Sequence, residues 1–117
     1  DLNSPLIGVN YDVGVFTGAG EEGFPYAFDL LKDYIRTCHF HSRRKVGPYG
    51  WLGPDPTQNR FAAIGDGREN YDGVMRRLKE IGFNSYIILE LMAPVAEMIP
   101  LYGRSAEYVR SHFTWPD

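Results

Sequence analysis

The chain holds a single cysteine, Cys38, so no intrachain disulfide can form and nothing demands an oxidising compartment; an intracellular, cytoplasmic protein is the expectation. Long apolar runs are also missing. No stretch approaches the roughly 20 residues that span a bilayer, and Asp-Leu-Asn-Ser-Pro at the start lacks the basic and apolar regions of a signal peptide. Excess positive charge is absent too. With a formal net charge of −3 the chain exerts no general pull on a phosphate backbone, which excludes the broad electrostatic footprint of a nucleic-acid binder. What remains is a 117-residue chain, 44% hydrophobic and 15% aromatic, the composition of one ordinary globular unit.

Periodicity divides the chain into alternating strands and helices. Leu6 to Tyr11 reads as a buried strand opening into the Gly-rich loop from Gly14 to Gly23. Phe24, Ala27, Phe28, Leu30 and Leu31 recur at helical spacing, predicting a helix over 24–32 with Pro25 in its first turn. Tyr34 to His41 is a second strand, with Ile35, Thr37, His39 and His41 on one face and Cys38 on the other as a packed, unreactive thiol. Residues 42–70, with five glycines and three prolines, form a connection far longer than the usual 2–6 residues or so, and a loop of that length suits an active site. Tyr71, Val74, Met75, Leu78 and Ile81 mark a helix that Gly82 ends, Ser85 to Leu91 is a third strand, and a last helix runs from about Arg104 to Phe113.

Such alternation gives parallel strands joined by helices. A closed eightfold barrel needs about 250 residues, so the chain accounts for some three of eight units, a partial (β/α) barrel domain over 1–117; an intact small α/β sandwich is the alternative. Ile7, Val9, Ile35, Thr37, Ile87 and Leu89 are expected to face a barrel interior that three strands cannot enclose. Either self-association burying more than roughly 1,200 Å² or a missing N-terminal half would then cover them.

Active sites of parallel α/β folds lie at the C-terminal strand ends. Asp12, His39 with His41, and Glu90 stand there, and a divalent metal (Mn, Mg, Co or Zn) is the partner that carboxylates and imidazoles share. Singly, each also suits a structural role: Asp12 as the cap of a turn, the histidines as hydrogen-bonded groups at a loop boundary. Arg43, Arg44 and Lys45 suit an anionic or polyhydroxyl substrate at the mouth, or a solvated basic turn. Gly65-Asp66-Gly67 fits a tight turn better than a phosphate cradle.

Gly8 to Gly14 around Asp12, Asp33-Tyr34-Ile35 leading to Cys38-His39-Phe40, Ile64-Gly65-Asp66-Gly67, and Leu78 to Phe83 running into Ile87-Ile88-Leu89-Glu90 resemble the last three units of the sugar phosphate isomerase/epimerase superfamily, the xylose isomerase-like TIM barrels. The resemblance implies that Asp12, His39 and Glu90 are metal ligands, joined by a carboxylate from an earlier strand, and that Glu90 is also catalytic. It implies the C-terminal part of an enzyme that isomerises or epimerises a small sugar or sugar phosphate by proton transfer next to a carbonyl, through an enediolate. The isolated chain is then expected to be inactive. His41, an alternative ligand in members with a His-x-His strand end, would with Arg43 and Arg44 bind substrate. Val15 stands where many members carry a substrate-binding His. The endonuclease branch is disfavoured because Gln58-Asn59-Arg60-Phe61 lacks its Asp-x-His. Sugar-acid dehydratases of the mannonate type are the rival, through His39-Phe40-His41-Ser42-Arg43, although they prefer Cys in place of Asp12 and a His near Glu90. A non-catalytic barrel fragment is the third reading.

Overall fold

A computed structural model of the chain describes residues 4, 6–18, 22–43, 61–67, 69–91 and 93–116. Three parallel strands, β1 (Val9–Asp12), β2 (Ile35–Phe40) and β5 (Ile87–Leu89), form a sheet in the sequential order β1-β2-β5. A short antiparallel ladder pairs β3 (Ser42–Arg43) with β4 (Phe61–Ala62). The helices are α1 (Val13–Gly18), α2 (Phe28–Leu31), α3 (Tyr71–Glu80) and α4 (Val95–His112). Parallel pairing with intervening helices is the α/β architecture expected of part of a TIM barrel. No helix among the described residues is long and apolar enough to cross a membrane.

One layer of helices covers one face of the sheet. Val13 of α1, Phe28 of α2, Val74, Met75 and Leu78 of α3 and Val109 of α4 join Tyr11, Cys38 and Phe40 in a single buried cluster, with Ile87 and Leu89 packed against it. Each large apolar side chain buried there contributes about 1.5–3 kcal/mol, so this face drives folding. Paired residues share a face in a parallel ladder, and Asp12, His39 and Ile88 are in register on the side away from the cluster.

That register corrects the apolar interior expected from periodicity. Val9 pairs with Ile35 but Asn10 pairs with Thr37, so Arg36 is an extra residue and the ladder is bulged there. A bulge reverses side-chain parity. Ile35 therefore joins the helix-side cluster together with Cys38, and Ile87 and Leu89 lie on that side too. The open face carries Asn10, Thr37, His39 and Ile88, with Thr37 Oγ1 donating to Asn10 Oδ1 at 3.0 Å.

Other elements shift for local reasons. The expected loop after β1 begins as helix α1, because Asp12 Oδ1 accepts a hydrogen bond from Val15 N at 3.0 Å in the manner of an N-cap. Phe16 then stacks on Tyr11, ring centroids 4.4 Å apart. The helix expected over 24–32 is broken into a π-type turn (Gly23–Ala27), α2 and a 3₁₀ turn (Lys32–Tyr34); Phe24 is extended (φ −151°, ψ 126°), the bias of a residue before proline, and the Phe24–Pro25 peptide is cis. Residues 42–43 and 61–62 are strands where a loop through 42–70 was expected; 44–60 lie outside the described residues. Helix α4 starts at Val95 and not near Arg104. Its first turns leave Val95 and Ile99 exposed and contain Pro100, so no apolar stripe announces them. Helix α3 matches its pattern: Asn70 Oδ1 accepts from Gly73 N at 2.9 Å, and Gly82 at φ +66° ends it with Phe83 N donating to Leu78 O.

Candidate metal centre

The three strand ends bring Asp12, His39 and Glu90 together. One donor atom from each, a carboxylate oxygen or an imidazole nitrogen, lies within 4.8 Å of the other two. Two backbone features produce this. Asp12 and His39 are register partners across β1 and β2, and Glu90 follows β5 directly, its amide donating to Phe40 O at 3.0 Å so that the end of β5 stays level with the end of β2. His39 Nδ1 is 3.3 Å from Glu90 Oε2, with the side chains 29% and 44% exposed. Alone, such a partly exposed contact is worth little. Asp12 turns it into a three-donor set open to solvent.

The spacing fits a bound divalent ion. Ligand bonds of about 2.1 Å separated by 90–109° put neighbouring donors about 3.0–3.4 Å apart, and opposed donors about 4.2 Å apart. The His39–Glu90 distance of 3.3 Å matches neighbouring donors, whereas the 4.8 Å that bounds the whole set is wider than opposed donors allow, so a bound ion would draw the three side chains inward by some tenths of an ångström. Two carboxylates and one imidazole suit Mn²⁺, Mg²⁺, Co²⁺ or Zn²⁺ and do not select among them.

The remaining residues expected at the site are placed differently from one another. His41 is buried, 5% exposed, with Nε2 3.3 Å from Asp12 Oδ1; it sits behind Asp12 and not at the mouth. Arg43 is half-buried on β3, where its amide donates to Glu69 Oε2 at 3.3 Å. Arg44 lies outside the described residues. Gly65-Asp66-Gly67 forms a turn, Asp66 N donating to Ala63 O at 3.0 Å with Gly65 at φ +95°.

A buried polar layer beneath the donors has no signature in the sequence. Ser42 Oγ donates to Glu69 Oε2 at 2.6 Å, and Tyr71 OH donates to His41 O at 2.5 Å. Burial, and then the carboxylates of Glu69 and Asp12, push the Tyr71 phenol above its usual range, so it stays protonated and keeps donating. Glu69 lies in a polar turn and Tyr71 on the apolar stripe of α3, so neither stands out until the fold brings them to His41 and β3.

The model of a protein family described as xylose isomerase-like TIM barrel matches residues 1–112. No individual curated protein matches the chain.

Proposed function

Starting from the chain's membership of the xylose isomerase-like TIM-barrel family, we propose that it supplies part of the divalent-metal site of a sugar isomerase or epimerase, as the C-terminal strands of the barrel. The observation that carries the reading is the convergence of Asp12, His39 and Glu90 from three adjacent strand ends. Asp12, His39 and Glu90 would hold the ion. When bound, the ion supplies Lewis acidity, polarising a sugar carbonyl so that the neighbouring C–H becomes acidic.

This chain's residues then do the rest of what is proposed. Asp12 and His39, less exposed than Glu90, fix the donor set. Glu90, at 44% side-chain exposure, is the group within reach of a substrate at the mouth, and its carboxylate takes or returns the proton at that carbon. Arg43, on β3 four residues after His39, has a guanidinium suited to a sugar hydroxyl or phosphate.

Mn²⁺ titration, followed by the loss of the free-ion electron paramagnetic resonance signal, tests the metal part. One ion per chain is expected, with Asp12→Asn, His39→Ala and Glu90→Gln each weakening binding by at least about tenfold to a hundredfold, the range that even outer-sphere partners command. Wild-type affinity in all three variants would overturn the reading. Adding ketoses to the Mn²⁺-loaded chain and following epimer formation tests the reaction separately: these strands alone are expected to give no turnover, since the carboxylate from an earlier strand is absent, and turnover would overturn the partial-site reading.

A further inference from the structure

Two residues beyond the ligand candidate His39 and just past the end of β2, His41 takes the opposite environment. The residue is 5% exposed, and Nε2 lies 3.3 Å from Asp12 Oδ1 without completing a hydrogen bond to it or to any other described group. A buried ring nitrogen without a partner is costly, and the Asp12 carboxylate is the acceptor within reach.

Independent features hold the ring in place. Tyr71 OH donates to the His41 carbonyl at 2.5 Å, fixing the backbone. The next residue, Ser42, is fully buried and donates to Glu69. The ring presses against Gly14, where an added Cβ would overlap it, so the first turn of α1 is shaped to admit the imidazole. That same turn presents the Val15 amide to Asp12 Oδ1 at 3.0 Å. Both contacts fall on one carboxylate oxygen. A carboxylate offers two oxygens and about four lone-pair directions, so the second oxygen is left without a described hydrogen-bond donor.

We infer that His41 is a positioning residue for Asp12: a small turn of the ring or the carboxylate closes the 3.3 Å contact into an Nε2–H donation to Oδ1 that, with the Val15 amide, fixes the carboxylate so that the other oxygen is available to the cation. The inference rests on the metal-site reading given above. It replaces the substrate contact expected of His41, since a buried ring presents no face to a sugar. Ligand carboxylates held by hydrogen bonds from an outer layer are the usual construction of metal sites, and loss of such a partner costs about 10- to 100-fold in metal affinity.

Mn²⁺ titration of wild type, His41→Leu, His41→Gln, Asp12→Asn and the Asp12→Asn/His41→Leu double variant tests it. Leucine fills the space without a donor, whereas glutamine restores an N–H. The expected result is a 10- to 100-fold loss in His41→Leu, recovery of most of that loss in His41→Gln, and no further loss when His41→Leu is added to Asp12→Asn. Wild-type affinity in His41→Leu, or additive losses in the double variant, would show that His41 only packs the core. If Asp12→Asn also binds like wild type, the metal-site reading fails with it; if Asp12→Asn alone loses affinity, that reading stands and only the inference falls. A measurement on the metal-free wild-type chain keeps the test open should the leucine variant not fold. The His41 Nε2 proton should appear in a ¹⁵N-edited spectrum, protected from solvent exchange and shifted by Asp12→Asn, and an unprotonated Nε2 overturns the inference.

Discussion

The two faces of the β1-β2-β5 sheet are built from alternating residues of the same strands and obey different rules. On the helix side Tyr11, Cys38 and Phe40 are wholly buried in one apolar cluster. On the open side Asn10, Thr37, His39 and Ile88 keep contact with solvent and lead up to Asp12 and Glu90. The contrast teaches that stability and chemistry are separated by strand parity: polar donors accumulate on the face that folding does not need to dry.

The sharpest way to break this contrast is to cut into the helix face. Phe40→Ala removes a ring with 0% exposure, packed 4.8 Å from Tyr71, and should cost about 3–5 kcal/mol in chemical unfolding. A loss below about 1 kcal/mol would mean that this face is not the core.

Alkaline pH probes the same face without mutation. Burial pushes the Cys38 thiol from its usual 9.0 up to about 12, and burial likewise raises the Tyr11 and Tyr71 phenols above their usual 10.0. These groups keep their protons in the folded chain but lose them in the unfolded one. Their stability contribution is therefore complete below about pH 9 and falls as pH rises beyond it, by up to about 1.4 kcal/mol per pH unit for Cys38 alone. Urea midpoints at about pH 8, 9.5 and 10.5 should fall in that order, and equal midpoints would contradict the burial of these groups.

The smallest effect is expected on the open face. Ile88 is 42% exposed, and Ile88→Thr keeps the β-branch while removing apolar area, so less than about 1 kcal/mol should be lost. A larger loss, especially one that grows with protein concentration, would mean that a second copy covers this face, the association expected when the face was read as apolar.

Much of the fold was legible because it is locally encoded. The apolar stripe of Tyr71, Val74, Met75 and Leu78 with Asn70 before it and Gly82 after it defines α3 whatever its neighbours, and the parity of Cys38 against His39 follows from a regular strand. The N-terminal half of α4 was not legible, since Val95 and Ile99 are exposed and Pro100 argues against a helix. Of the site, Asp12, His39 and Glu90 stood out as polar residues ending apolar strands. Glu69 and Tyr71 did not, because their part depends on contacts with Ser42, Arg43 and His41, some 26 to 30 residues away.

By itself the sequence determined the strand–helix alternation, the end of α3, the burial of Cys38 and the set of residues at the strand ends, all of which follow from side-chain period and turn chemistry within a few neighbours. Only the tertiary structure decided the bulge at Arg36 that turns Ile35 toward the helices, the capping of α1 by Asp12, and the opposite environments of His39 and His41. The physical reason is that period reports which positions alternate, whereas register, bulges and the partners of buried polar groups are set by the strand or helix lying opposite, which no local window contains.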